Sequence, residues 1–211
     1  MPSLRVNPNR MELLKLRRRA DVARRGHKLL KDKLEQLLKE FMSRIAENRR
    51  LRAEVERDLF EAYGLLAVAR AEAGAATITQ ALLAGEPTGI VTAGQRNVMS
   101  VRVPVLQLSE LPTPGGYSYA TTPAVLDEAL ARLASVVPRM IELAEREKAI
   151  ELLAAEIETT RRRVNALEYV LIPQLVSTVR DIRMKLDEAE RSDLTRLMKV
   201  KAMIEEQQRE A

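Results

Sequence analysis

The sequence predicts a fold dominated by α-helix: a long antiparallel two-helix coiled coil, with a small β-hairpin and loop segment at the end opposite the termini. Apolar residues recur at heptad spacing towards both ends of the 211-residue chain, and aromatic residues make up only 3% of it. Five of the nine prolines fall between residues 85 and 123. We therefore divide the chain into a first long helix in 1–84, a hairpin and loop segment in 85–123, and a second long helix in 124–211.

The first helix is expected to begin after Asn9 and to continue without a proline to about residue 83. Asn9 suits the N-cap, and Glu12 occupies the capping-box position three residues later. Gly26 interrupts this helix, and we interpret it as a point of close helix packing, with simple tolerance of a glycine as the alternative. His27 is expected on the surface or in the seam, because no acid or nucleophile motif accompanies it.

The middle segment is too rich in proline and glycine for a long helix. Its β-branched residues predict strands at about 89–92 and 98–103, paired as a hairpin around Gly94. Pro104 indicates the end or the edge of a strand, and an irregular loop should follow it.

The second helix is expected to begin at Thr122-Pro123 and to reach about Gln208, with a bend or break at Pro138. Its seam residues follow alternating steps of three and four, and then two steps of four through Leu175 to Val179. Such a stutter locally unwinds a coiled coil, and it coincides with Pro173, where we expect a bend. Pairing the two helices by equal steps places Gly26 near Ile182 and Phe41 near Leu167.

Composition excludes several classes of site. The chain has no cysteine and one histidine, which excludes disulfides, thiolate or multi-histidine metal sites and cysteine nucleophiles. It also lacks a phosphate-binding loop, a recognisable pair of catalytic carboxylates and a nucleophile motif, so we expect no catalytic residues, no bound cofactor and no metal site. The apolar runs are far shorter than the roughly 20 residues of a bilayer span, and the N-terminus lacks a signal-peptide core. These features predict a cytoplasmic protein.

The charge is uneven. The chain carries +5 overall, but residues 1–50 hold 15 Lys and Arg against 6 Asp and Glu. A basic end suits an acidic partner surface, phosphate or nucleic acid, while a solvated helix face is the plain alternative. A basic coiled-coil scaffold or a nucleic-acid-binding protein therefore stays open, although bases alternate with acids and few aromatics are available for stacking. A membrane-surface hairpin is disfavoured because residues 180–196 lack a continuous apolar face.

Four strings in order carry a resemblance to a known family: NPNRMEL (7–13), RGHKLLKDK (25–33), TRRRVNALEY (160–169) and RLMKVK (196–201). With them the chain resembles the D-subunit family of the V-type ATPases, both vacuolar and archaeal or bacterial A-type, over nearly all of both helices. The segment 85–123 matches this family only in character.

The resemblance implies a non-catalytic rotor shaft that couples ATP hydrolysis or synthesis to ion transport. Its implied partners are a hexameric head of alternating catalytic and regulatory nucleotide-binding subunits, the small F subunit of the rotor, and a socket subunit on the membrane ring. The shaft would be a peripheral cytoplasmic part of a membrane-bound complex, without membrane insertion or nucleic acid.

Exposed cations are our candidates for contact with the bore of the hexamer, because charge responds to different states of a partner at little cost in shape. They are Arg10, Arg17, Arg18, Arg19, Arg24, Arg25, Arg161, Arg162, Arg163, Arg196 and Lys199. The bend at Pro173 should make the shaft eccentric. Contacts with the small F subunit are expected on the outer faces of residues 63–80 and 126–140.

Overall fold

The computed structural model describes residues 6–83, 89–109 and 115–210, with the side chains of 205–210 left aside. The helix α1 covers Arg10–Ala73 and α2 covers Ala75–Leu83. Strands β1 (Val91–Val98) and β2 (Val101–Leu108) form an antiparallel hairpin. The helix α3 covers Ala124–Ala166, a π-turn Leu167–Leu171 follows, and α4 covers Ile172–Glu210. The predicted fold class is therefore confirmed.

The chain forms two compact units. Unit 1 combines Met1–Glu35 with Glu158–Ala211, and unit 2 is the continuous segment Gln36–Ile157. Each unit pairs a part of α1 with a later helix. None of the described helices is long and apolar enough to cross a membrane.

The start of α1 is capped as predicted. The side-chain Oδ1 of Asn9 accepts a hydrogen bond from the backbone N–H of Glu12 at 2.6 Å. The carboxylate of Glu12 accepts a bond from Lys15 Nζ at 2.8 Å, and the N–H of Asn9 donates to the carbonyl of Asn7. Asn9 is thus an N-cap, and Glu12 stabilises the positive end of the helix.

The end of α1 differs from the prediction of one helix to residue 83. The helix stops at Ala73, and Gly74 has a φ of +85°, which lies in the left-handed region that favours glycine. The short helix α2 then carries Ile78 and Ala81 into a buried cluster with Ala69 and Leu126. The expected change of segment at residues 84 and 85 lies outside the described residues, as do Pro112 and Pro114.

In unit 1, α1 and α4 run antiparallel along a small apolar core. Leu16, Ala20 and Ala23 of α1 are buried with Leu175 and Ile182 of α4. Arg10 pairs with Glu190, and His27 Nε2 lies 3.3 Å from Glu168 Oε2. The predicted register, with Gly26 near Ile182, is therefore wrong by nearly two heptads. The error arises because equal-step pairing took the first helix to residue 83, whereas α1 ends at Ala73.

The same error in the predicted register affects the position of Phe41. In unit 2 it packs against the cluster that contains Leu153, instead of lying near Leu167. The cluster joins Leu37, Ala149 and Leu153 to Val101 and Val103 of β2. The hairpin is therefore held by apolar side chains of both helices, as an isolated hairpin requires.

The hairpin turn is at Met99 and Ser100, and the predicted turn at Gly94 is wrong. The φ angles of Met99 and Ser100 are 50° and 72°, the two positive values of a type I′ turn. Gly94 lies within β1 opposite Val105, where an added Cβ would be 3.8 Å from the Val105 carbonyl. Met99 packs against the Leu153 cluster, which holds this strained turn in place.

Replacing Ser100 with glycine is expected to stabilise unit 2. A non-glycine residue in the left-handed region destabilises the fold by roughly 1–2 kcal/mol, and glycine removes this strain. The larger entropy of glycine in the unfolded state opposes the gain by roughly 0.5–1 kcal/mol. The net gain should be about 0.5–1 kcal/mol in the free energy of unfolding, measured by thermal or urea denaturation. Gly74→Ala is the opposite control, because it places a Cβ at a positive φ. A Ser100→Gly variant that is less stable than the unmodified chain would contradict the positive φ of Ser100 in this turn.

Pro104 lies inside β2, opposite Gln95, and the strand continues to Leu108. The Ser109 N–H donates to the Ile90 carbonyl. Residues of an antiparallel pair alternate between hydrogen-bonded and non-hydrogen-bonded positions, so counting from Ser109 places Pro104 at a non-hydrogen-bonded position, with its nitrogen facing away from β1. The missing N–H therefore costs no ladder bond, as expected for an edge strand. On the same outer edge, the Leu106 N–H donates to the Glu145 carboxylate at 2.9 Å.

The loop before α3 is fixed by Tyr117. Its ring packs against the buried cluster of Ala69, Ile78 and Leu126, and its hydroxyl donates to the Asp127 carboxylate. Burial, together with that hydrogen bond, raises the pKa of Tyr117 to about 12.

Two prolines lie in the helices after the hairpin. Pro138 lies inside α3 and does not end it. Pro173 lies in the first turn of α4, directly after the π-turn, where the Ile172 N–H donates to the Leu167 carbonyl. Pro173 has no N–H for the carbonyl of Tyr169, so a wide turn replaces the regular α pattern. A π-turn therefore lies at the stutter, and the bend expected at Pro173 stays a prediction.

Candidate partner-binding surfaces

The predicted cations share one unit. All eleven belong to the chain segments of unit 1, and all are exposed. On α1 they lie at exposed positions outside the buried residues Leu16, Ala20 and Ala23. Helical periodicity produces this arrangement, because the core residues recur every three or four positions.

Four of these cations form ion pairs within unit 1: Arg10 with Glu190, Arg24 with Asp21, Arg162 with Glu158, and Arg196 with Asp193. Within the side chains that the structure describes, the other seven have no carboxylate partner. These seven are Arg17, Arg18, Arg19, Arg25, Arg161, Arg163 and Lys199. Unit 1 therefore presents cations whose charge is available to an acidic surface.

Gly26 does not mark close packing. Apart from its own helix backbone, no atom of the described residues lies within 4 Å of the position that a Cβ would take there, so the predicted close approach is wrong within the described part of the chain. The residues near Gly26 that face the seam are Ala23, which is buried, and His27, whose side chain is 21% exposed and faces Glu168. The alternative, tolerance of a glycine in a long helix, explains Gly26 better.

The end of α4 carries an apolar surface without a covering element among the described residues. Every described side chain from Asp187 to Ile204 is exposed. Large apolar side chains lie there at helical spacing: Leu194, Leu197, Met198, Val200, Met203 and Ile204. Leu197 and Met198 are 65% and 71% exposed. A helix that combines these side chains with Arg196 and Lys199 suits a partner with an apolar and acidic lining.

Unit 2 carries a second apolar surface, which we call the aromatic patch: Phe60, Tyr63, Gly64, Ala67 and Val68 of α1. Phe60 is 81% exposed and Tyr63 57%. Apart from the backbone of α1 itself, no described atom lies within 4 Å of a Cβ built on Gly64, so a partner helix has room beside the rings. Sequence reasoning missed Phe60, although its position next to the seam residue Leu59 turns it outward.

The predicted surface for the small rotor partner is only partly accessible. Tyr63 is exposed, and Met140 is 42% exposed, but Leu126 is completely buried under α2. Leu126 therefore contributes nothing to this surface, and contact elsewhere in 126–140 stays a prediction. The cause of this burial is α2, whose return against α3 the sequence did not reveal.

Polar side chains also line a groove in unit 2. It lies between the hairpin and the helices and encloses about 400 Å³, with Glu40, Glu145, Arg96 and Arg146 among its lining residues. Acids and bases pair along its lining, as in the 2.7 Å contact between Arg44 and Glu40 on α1. Within the part of the chain that the structure describes, no group of three or more His, Asp or Glu side chains is placed to hold a metal ion.

Comparison with known proteins assigns the family. The family model for the D subunit of ATP synthase matches residues 12–202. The D subunit of a V-type ATP synthase from Acetivibrio thermocellus is 48% identical over 211 residues, covering 98% of this chain and 95% of that protein. Proteins of the same name from Thermoanaerobacter sp. (strain X514) and Clostridium botulinum (strain Alaska E43) are 48% and 46% identical, each covering at least 97% of both chains. This chain therefore belongs to the family of V-type ATP synthase D subunits.

Proposed function

We propose that this chain is the central rotor shaft of a V-type ATPase. It would transmit torque between ATP hydrolysis or synthesis in a soluble head and ion movement in a membrane ring, without catalysing a reaction itself. It would work as a peripheral cytoplasmic part of the complex, bound to a hexameric head, the small F subunit and a socket subunit on the ring.

The observation that carries the proposal is the surface of unit 1. Seven exposed cations without a carboxylate partner among the described side chains and an uncovered apolar end of α4 share a unit whose core is a narrow two-helix seam. A two-helix seam without a globular core exposes most of its side chains, so it suits a protein that is surrounded by its partner. Cations that contact acidic groups can follow successive states of that partner with little change in shape.

Co-assembly of purified subunits tests this function. We expect the tagged chain to co-purify with the two large nucleotide-binding subunits and the small F subunit, and to carry no ATPase activity alone. The assembled head should hydrolyse ATP, and a fluorescent bead on the chain should rotate in one direction. Failure to bind the hexamer, or salt-sensitive retention on DNA at the affinity of a nucleic-acid-binding protein, would refute the proposal.

For the small F subunit we propose the aromatic patch as the docking surface. Replacing Phe60 and Tyr63 with alanine should weaken its binding by at least about tenfold, because buried aromatic anchors often contribute about 2 kcal/mol or more and about 1.4 kcal/mol is tenfold. Isothermal titration with the purified small partner measures the effect.

Tyr169→Ala is the matched control for the aromatic patch. Tyr169 is 63% exposed but belongs to unit 1, so its removal should leave the affinity for the small partner unchanged. Neither change should alter the thermal stability by more than about 0.5 kcal/mol, because the side chains are exposed. Equal affinities for all variants would place the docking surface elsewhere.

Pro173 is proposed to adapt the shaft to the head. Pro173→Ala restores the N–H that the Tyr169 carbonyl lacks, which allows the π-turn to tighten to a regular α-turn. We expect the number of ions transported per ATP to fall several-fold, measured with the complex in vesicles. Pro138→Ala, a change of the same kind within α3 of unit 2, should leave coupling intact. Normal coupling in the Pro173→Ala complex would show that this turn is dispensable.

A further inference from the structure

Unit 2 contains four ion pairs between α1 and α3 among its described side chains. Arg146 lies 3.3 Å from Glu47, Arg132 lies 3.1 Å from Glu61, and Arg139 contacts Asp58. In these three pairs α1 supplies the acid and α3 the base. The fourth pair has the opposite polarity: Arg52 of α1 lies 3.2 Å from Glu147 of α3.

The seam beneath these pairs defines the helix register poorly. On α1 the residues at one heptad position are Asn48, Val55, Ala62 and Ala69, and the last three are buried. On α3 the buried side chains Ala129 and Val136 repeat at the same interval. Sliding one helix by seven residues would place alanine and valine side chains against alanine and valine side chains again. Shape alone therefore discriminates weakly between registers.

The three arginines of α3 also fail to define a single register, because Arg132, Arg139 and Arg146 are spaced seven residues apart. A slip of one heptad in one direction places Arg146 opposite Asp58 and Arg139 opposite Glu61. A slip in the other direction places Arg132 opposite Asp58 and Arg139 opposite Glu47. Either way two of the three acids keep an arginine partner.

The fourth pair does not survive a slip. Arg52 would then lie opposite Ala154 or Met140, and Glu147 opposite Leu59 or Ile45. We propose that the reversed pair Arg52–Glu147 specifies the register of α1 and α3, by excluding the heptad-slipped pairings that the rest of the interface allows. An exposed pair adds little to the free energy of unfolding, but this pair is lost in either slipped alignment, so it favours the native alignment over its neighbours. This inference does not depend on the proposed function.

The absence of cysteine from the chain makes the register measurable. Arg50→Cys and Ala131→Cys place spin labels at exposed sites of α1 and α3, offset along the helices, and pulsed electron paramagnetic resonance reports their separation. A heptad slip moves one helix by about 10 Å along the other. The labelled full-length chain should show one distance.

Arg52→Glu should add a second distance, displaced by about 10 Å, because Glu147 of α3 would repel the new carboxylate in the native register but not after a slip. The exchange Arg52→Glu with Glu147→Arg should restore the single distance. Asp58→Arg is the matched control. It also creates a like-charge contact, in this case with Arg139 in the native register. After a slip the new arginine would face Arg132 or Arg146, so sliding would not remove the repulsion.

Two outcomes would overturn the proposal. A single unchanged distance in Arg52→Glu would show that the register is set elsewhere, for example by the hairpin packing on Leu37 and Leu153. A second distance of equal weight in Asp58→Arg would show that any charge repulsion loosens the pair. Circular dichroism at about 222 nm, the helical band, verifies that each variant remains helical, so that a broad distance distribution from unfolding is recognised and is not counted as a slip.

Discussion

Replacing Leu153 with alanine is expected to lower the free energy of unfolding by about 2–5 kcal/mol, the range for a leucine removed from a packed core. Leu153 is completely buried, and its cluster joins Leu37 of α1 to Val101 and Val103 of β2. The cavity would thus weaken two interfaces at once, between the helices and beneath the hairpin. Urea denaturation followed by circular dichroism measures the change.

Leu29→Ala is the matched control for this loss. The same atoms are removed from a leucine that is 70% exposed, so the expected change is within about 0.5 kcal/mol. If Leu153→Ala were no more destabilising than Leu29→Ala, the cluster beneath the hairpin would not be a packed core.

Reversing the charge of Arg17, Arg18 and Arg19 to glutamate is expected to slow association with the head by about one to two orders of magnitude at low salt. All three are exposed cations of unit 1 without a carboxylate partner among the described side chains. Stopped-flow mixing with a fluorescent head complex measures the rate constant. The difference from the unmodified chain should shrink as salt rises, because screening acts most strongly on exposed charges.

The control for this reversal changes the same number of charges elsewhere. Lys39, Arg49 and Arg50 are exposed cations of unit 2, and reversing them should alter the rate far less. Equal slowing by both triple variants would mean that net charge steers association, without a specific contact surface on unit 1.

Much of the fold follows from local signals in the sequence. The Asn9 cap and the heptad seams depend on residues close together in the chain, and the structure has them where the periodicity places them. The break at Gly74 was missed because alanine surrounds it, and alanine-rich sequence favours a continuous helix. The register then failed as a consequence, because it was counted from the wrong helix end.

The hairpin shows why tertiary packing overrides local preference. Gly94 is the stronger turn signal, and Met99-Ser100 contains neither glycine nor asparagine. The turn forms there because it lets Val101, Val103 and Met99 reach the Leu153 cluster, a contact between distant parts of the chain. Periodicity within one segment carries no information about such a contact.

The candidate surfaces also combine features that the sequence predicts with features that only the fold reveals. The cations could be predicted, because charge and exposure go together on a helix, and so could their pairs with acids three or four residues away; the long-range pair could not. Arg10 has a partner 180 residues away in Glu190, and only the fold reveals it. The outward direction of Phe60 could be inferred only once the buried face of α1 was known, and the sequence did not reveal that α2 returns over Leu126.

The outer edge of β1 has a consequence for how molecules of this protein meet one another in concentrated solution. The edge of β2 is tied to α3 through Leu106 and Glu145, whereas β1 has no second neighbour in the two-stranded sheet of the described residues, and seven of its eight residues are exposed. A free strand edge is a template for intermolecular pairing and fibril growth. Arg96 carries the single charge of this strand. It is therefore the side chain that opposes the stacking of one hairpin on the next.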